Sequence, residues 1–174
     1  MVANFMSNFQ FRAATQSDFP AILMLNHQSE EFLSQLDRPK LARISNEAEF
    51  FQVATSLEGL VGFLLAFLPE ADYDNPNFLW FKAPYEHFIY IDRVVISEDF
   101  RGHHLATRLY ADLQTEAIAR SIPRVVCEIH IDPPNPGSLR FHEKQGFIEV
   151  GQQTIYSQKE KPKIVSLQVK DLER

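Results

Sequence analysis

Ile91-Asp-Arg-Val-Val-Ile-Ser-Glu-Asp-Phe-Arg-Gly-His-His-Leu-Ala106 carries a strong strand through a short loop and directly into a helix. The strand reading covers His87 to Ile96, and the loop covers Ser97 to Gly102. The helix reading runs from His104 to about Arg120, because Leu105, Leu109, Leu113 and Ala117 recur at steps of four. A further strand is read over Arg124–Asp132, so residues 88–132 form a strand–helix–strand unit, for which a right-handed parallel crossover is expected. The first N–H groups of such a helix have no intrahelical acceptor and, with the helix dipole, make an anion site. Gly102 permits close backbone approach to a phosphate, and Arg101 adds a charge-assisted donor. The residues alone leave two readings open: a phosphate-binding turn, or an ordinary strand–helix connection.

Upstream, Phe9–Ala13 reads as a short strand and Thr15-Gln-Ser-Asp18 as a capping box. The helix that it opens carries Ile22, Leu25 and Ser29, with Phe32, Leu33 and Leu36 continuing the pattern, and Asp37-Arg-Pro39 is expected to break it. Residues 40–48 are ambiguous. Phe50–Leu57 and Leu60–Pro69 form a hairpin, with Gly59 supplying the positive φ of its turn. Residues 69–87 are a long Pro-, Asp- and Asn-rich connection whose Tyr73, Phe78, Trp80, Phe81 and Tyr85 suit either core packing or a substrate lid. Downstream, Pro133–Pro136 is a rigid turn, residues 137–145 suit a short helix stopped by Gly146, and Phe147–Ile155 and Ile164–Val169 are the last strands, joined by a charged turn over Gln158–Lys163. The order predicts an α/β (α+β) fold: a central mixed sheet with helices packed on its faces.

At 174 residues the chain matches one domain on a prior of about 150 residues per domain, and a single domain over 1–174 is expected. Apolar residues make up 45% and charged residues 23%, which argues against disorder. A net charge of −6 gives no global electrostatic reason to bind nucleic acid. The longest apolar run, Leu60 to Leu68, is far short of the about 20 residues that span a bilayer, and the first 18 residues lack a signal-peptide pattern, so no membrane role and a cytoplasmic location are expected. Cys127 is the only cysteine, which excludes an intramolecular disulfide. Its apolar flanks suggest burial and make an acyl-carrying role a poor fit. The adjacent pair His103-His104 lacks metal-ligand spacing, and no metal is expected.

A second informative segment is Asn135-Pro-Gly-Ser-Leu-Arg-Phe-His-Glu-Lys-Gln-Gly-Phe147. Together with the first it resembles the GNAT superfamily of acyl-CoA-dependent N-acyltransferases. Arg101, Gly102, His103, His104, Leu105 and Ala106 fall on the family's CoA-binding pattern. Asn135, Ser138, Phe141-His142 and Gly146-Phe147 fall on its later pattern, and Phe11 to Thr15 with Asp18 looks like its opening. The resemblance covers nearly the whole chain and implies a mostly antiparallel sheet of about seven strands with one parallel pair. It departs from the pattern at His104, where the family has glycine, and at His142, where many members have tyrosine.

The resemblance implies a transfer of acetyl from acetyl-CoA to a primary amine, of a small molecule or a protein, by direct attack. Backbone groups of Val94, Val95 and Ile96 would hold the pantetheine arm, and an N–H of Val95 or Ile96 would support the oxyanion. The loop from Arg101 to Ala106 would hold the pyrophosphate, with Asn135 near the pantetheine or thiol. His142 takes the place of the family's acid, although a neutral imidazole with a pKa of about 6.5 is a weak proton reservoir at neutral pH, and a packed or exposed helix histidine without that role is the alternative. Glu128 and Asp92 are candidates for base or water relay, set against solvated or paired carboxylates with no such role. Along the later strand Glu128, His130 and Asp132 are expected on one face, and along the earlier one Tyr90, Asp92 and Val94. The alternative is a non-catalytic acyl-CoA-binding sensor or interaction module. A dinucleotide-binding fold fits poorly, since no GxGxxG follows the first strand. Dimers are common for the resembled fold, and a homodimer is expected by that analogy alone.

Overall fold

The computed structural model describes residues 9–156 and 161–172. Residues 158–160 of the charged turn expected over Gln158–Lys163, and residues 1–8 of the N-terminal stretch read for targeting, lie outside the described residues. Seven strands form one sheet in the order β1-β2-β3-β4-β5-β7-β6. They are β1 (Gln10–Ala13), β2 (Phe50–Ser56), β3 (Gly59–Phe67), β4 (Ile89–Ile96), β5 (Arg124–Asp132), β6 (Ile148–Ile155) and β7 (Lys163–Asp171). β4 and β5 pair parallel, as the strand–helix–strand reading requires, at Ile89↔Val125 and Tyr90↔Val126. The β1–β2, β2–β3, β5–β7 and β6–β7 pairs are antiparallel. The chain groups into two compact units, Met1–Phe67 with Ile91–Glu116, and Leu68–Tyr90 with Ala117–Arg174.

In the first unit the capping box forms: Asp18 Oδ2 accepts from the Thr15 N–H at 2.8 Å, and Arg12 grips both carboxylate oxygens at 2.8 Å. The helix that follows, α1 (Phe19–Gln28), is shorter than its apolar pattern suggests. The Ser34 carbonyl is claimed by side chains: Asn26 Nδ2 donates to it at 3.2 Å, and Arg93 bonds Asn26 Oδ1 at 2.8 Å and Ser34 Oγ at 3.1 Å. Ser29, at φ −116° and ψ 12°, gives its N–H to the Asn26 carbonyl and closes the helix, so Phe32, Leu33 and Leu36 lie beyond it. Asp37-Arg-Pro39, expected to stop a helix, instead starts one. Asp37 Oδ1 accepts from the Lys40 N–H at 2.8 Å, and Pro39 sits in the first turn of α2 (Arg38–Glu47), where its missing N–H costs nothing. The β2–β3 hairpin turns on Gly59 at φ +118°. The helix α4 (Leu105–Ala119) matches its predicted span, with Leu105, Leu109, Leu113 and Ala117 all buried.

In the second unit the long connection contains a helix that the sequence reading did not identify, α3 (Pro76–Lys82). Asn75 caps it, accepting from the N–H groups of Asn77 at 2.8 Å and Phe78 at 3.3 Å. Tyr73, Phe78 and Phe81 are buried, and Phe78 meets the Phe88 and Tyr90 rings at 6.1 and 5.4 Å, so these aromatics build core. A last helix, α5 (Pro136–Lys144), ends two residues before Gly146, whose φ is +86°. One strand-face expectation is corrected. The β5–β7 register slips between His130 and Asp132, so His130 opposes Val165 while Asp132 opposes Ile164. Consecutive residues of β7 face opposite ways, so Asp132 leaves the face that Glu128 and His130 share.

Candidate active site

The first unit holds the loop that follows β4. Along the strand Ile91, Arg93 and Val95 are buried, whereas Val94 and Ile96 are half-buried. A methyl group on Gly62 would lie 2.9 Å from the Val95 carbonyl oxygen and 2.6 Å from Ile96 Cδ1, so the absence of a Cβ at Gly62 sets where β4 runs. A 3-10 turn over Glu98–Phe100 leads to Arg101, an exposed side chain whose guanidinium is 3.3 Å from the Glu98 carboxylate. His103 packs against the Phe9 and Phe100 rings at 5.8 and 6.4 Å.

Gly102 takes φ +82° and His104 φ +60°, both left-handed. His104 thus adopts the conformation that glycine adopts freely, at a cost of about 1–2 kcal/mol for a side chain. Its imidazole is exposed, and a Cβ on Gly102 would meet nothing within 4 Å. The His104 carbonyl accepts the Arg108 N–H at 3.0 Å, so the N–H groups of Leu105, Ala106 and Thr107 precede the helix ladder. An open, glycine-bearing loop ahead of such donors, at the start of a 15-residue helix, fits a diphosphate. Ala106 is half-buried, and Leu105 is buried against Ala54 and Val61.

Asp92 has its Oδ2 2.6 Å from Arg93 Nε, and both side chains are 2% exposed. That guanidinium also holds Asn26 and Ser34. A buried pair of this kind holds its carboxylate as a partner of the cation.

In the second unit Glu128 Oε1 accepts a hydrogen bond from the Tyr90 hydroxyl at 3.0 Å. Asn135 caps α5, with its Oδ1 3.2 Å from the Ser138 N–H. His142 is 4% exposed, and its Nδ1 lies 2.8 Å from the Ser138 carbonyl oxygen, so Asn135 and His142 meet at Ser138. A ring nitrogen facing a carbonyl must donate, which places the proton on Nδ1 and the lone pair on Nε2. Burial pushes the His142 pKa down, opposed by the bond to Ser138, and the ring sits edge-on to Phe141 and Phe147 at 5.3 and 5.1 Å. Burial also lowers the pKa of His130, helped by Lys163. Cys127 is buried, and burial raises its thiol pKa well above the ordinary range, with Glu128 adding to the effect. Among the described residues no group of three or more His, Cys, Asp or Glu is placed to hold a metal ion, and no helix is long and apolar enough to cross a membrane.

The family model for GNAT acetyltransferases matches residues 11–147, and the chain belongs to that family. Acetyl transfer is the activity that membership indicates. No curated protein sequence matches the chain. Solved structures share its fold. Ard1 from Thermoplasma volcanium is 15% identical, with 96% of this chain and 99% of that one aligned at a TM-score of 0.78. Naa50 from Arabidopsis thaliana, solved with the bisubstrate analogue CoA-Ac-MVNAL, is 14% identical over 94% and 98% of the two chains, at 0.71. The ribosomal-protein-alanine N-acetyltransferase from Brucella melitensis is 21% identical over 94% and 99%, at 0.68.

Sequence reading singled out Glu128, Asp92, Asn135 and His142 but missed the side chains that hold two of them, Arg93 on Asp92 and Tyr90 on Glu128, and the cap Asn75 beside Tyr90. Arg93 shows in the sequence only as a cation inside an apolar strand. Asn75 is announced by Asn75-Pro76, a helix-start signal that the length of the connection obscured. Tyr90 was placed on its strand face, but its reach to Glu128 depends on a parallel register that no local pattern reveals.

Proposed function

We propose that the chain, as one acetyltransferase domain over 1–174, transfers acetyl from acetyl-CoA to a primary amine by direct attack. The observation that carries this reading is the loop from Arg101 to Ala106. The loop's two left-handed residues precede the N–H groups that open α4, and Arg101 stands exposed beside them. In this reading these groups hold the diphosphate, the backbone of Val94, Val95 and Ile96 holds the pantetheine arm, and Asn135 serves the thiol end. A Val95 or Ile96 N–H supports the oxyanion.

The amine nitrogen forms its bond to the acetyl carbon as the carbon–sulfur bond breaks, and the sulfur leaves with the electron pair. Of the two candidate carboxylates, Asp92 is committed to Arg93, which favours Glu128 as the acceptor of the amine proton, directly or through water. The thiolate leaves as the anion and takes a proton from solvent; His142, whose one ring proton faces the Ser138 carbonyl, is proposed to accept a hydrogen bond from a relay water at Nε2. The acceptor is an amine of a small molecule or of a protein.

Thermal unfolding with acetyl-CoA, CoA and NAD tests the donor site. At 100-fold excess over Kd, binding adds about 2.7 kcal/mol and raises the midpoint by about 5–10 °C. A rise with acetyl-CoA and CoA but not NAD supports the reading; no rise at millimolar acetyl-CoA overturns it. A second reading rests on the buried neutral His142: an acyl-CoA-binding module without turnover, marked by a thermal shift and no thiol release with any amine.

A further inference from the structure

We propose that Tyr90 is a positioning residue for Glu128, fixing the carboxylate that receives the amine proton; the inference rests on the acetyl-transfer reading above. Tyr90 is fully buried, and the Phe78 and Phe81 rings hold it at 5.4 and 6.2 Å. On the parallel strand it pairs with Val126, and its side chain reaches along β5 to the residue two further on. Its hydroxyl has one proton, and Glu128 Oε1 lies at 3.0 Å and Asn75 Oδ1 at 3.5 Å. Asn75 Oδ1 already accepts the two N–H groups that open α3, and the carboxylate is both nearer and the stronger acceptor. The proton therefore belongs to Glu128. A donor held in a rigid aromatic cluster selects one carboxylate rotamer.

Steady-state rates of CoA release test this with spermidine, glycinamide and an alanine-initiated pentapeptide as amine probes. Glu128→Gln is expected to lower kcat about a hundredfold. Tyr90→Phe, which keeps the ring, is expected to lower kcat about tenfold and leave KM for acetyl-CoA unchanged. In the Glu128→Gln background Tyr90→Phe should change kcat by less than about twofold, since its route of action is gone. An equal loss in both backgrounds, or no loss in the wild type, overturns the inference and leaves acetyl transfer standing. No CoA release with any probe overturns both. Ultraviolet difference spectra give a readout independent of turnover and of any loss of folding in Tyr90→Phe. Glu128→Gln against wild type should show a tyrosine perturbation band. Its absence removes the bond and the inference with it.

Discussion

Arg93 donates from Nε to Asp92 Oδ2 at 2.6 Å, and the same guanidinium reaches Asn26 and Ser34, so one buried cation joins β4 to the segment between α1 and α2. Removing one member of a buried pair leaves an uncompensated charge. Asp92→Asn is therefore expected to cost about 3–5 kcal/mol in urea unfolding. Arg93→Met should cost at least as much, since the carbonyl of Ser34 and the amide of Asn26 lose a partner as well. A loss under about 1 kcal/mol for both variants would sink this account.

Acidification should weaken the fold in two steps. Burial lowers the His142 pKa, so the stability tied to its neutral form is complete above the ordinary value of about 6.5 and is lost as pH falls below it. His130 shifts the same way and keeps its own share. Asp18 is held at about 2, first by the Arg12 hydrogen bonds and then by Thr15, with desolvation opposing. Its contribution is complete above about 4 and is lost as pH falls toward 2; with Arg12 half-exposed, it is about 1–2 kcal/mol. Melting midpoints from pH 8 to pH 2 should show both steps, and His142→Gln should shrink only the upper one. An unchanged upper step would contradict the burial argument.

His104→Gly should relieve the left-handed strain. The gain of about 1–2 kcal/mol is offset by glycine's greater freedom in the unfolded chain, leaving about 0.5–1 kcal/mol of added stability. The thermal response to acetyl-CoA should persist. Gly102→Ala, at φ +82°, carries the opposite sign and should lose about 1–2 kcal/mol. Differential scanning calorimetry distinguishes the two, and a destabilised His104→Gly would contradict the assigned conformation.

Gly62→Ala pushes a methyl group into the Val95 carbonyl and the Ile96 side chain. Overpacking of this kind costs about 1–3 kcal/mol, and it displaces the backbone proposed to hold the pantetheine arm. Acetyl-CoA affinity, measured by titration calorimetry, should fall in step with stability. Undiminished affinity would separate Val95 and Ile96 from donor binding.

Local signals carried most of the fold. The alternation in β5, the four-residue steps of α4, the capping box at Thr15 and the glycines at 59 and 146 each mark their element by short-range chemistry. The errors fall where tertiary bonds compete with pattern. The apolar run through Leu36 looks helical, but Ser29 closes the helix, and Asn26 and Arg93, the latter nearly sixty residues away, take up Ser34 in the segment beyond. The helix at Pro76–Lys82 is short and lies in a Pro-rich connection, where composition suggests loop. For the candidate site, residue types and spacing pointed to the loop at 101–106. They did not show that Asp92 is tied to its neighbour, nor that His142 places its proton on a backbone carbonyl.

The burial of Cys127 bears on how this chemistry is measured. Its thiol is shut away from solvent and held protonated, and it is the chain's only one. A thiol-trapping reagent added to the folded protein should therefore meet only the sulfur released from the donor. Reagent uptake in the absence of acetyl-CoA becomes a stoichiometric reporter, one sulfur per chain, of how often the core opens.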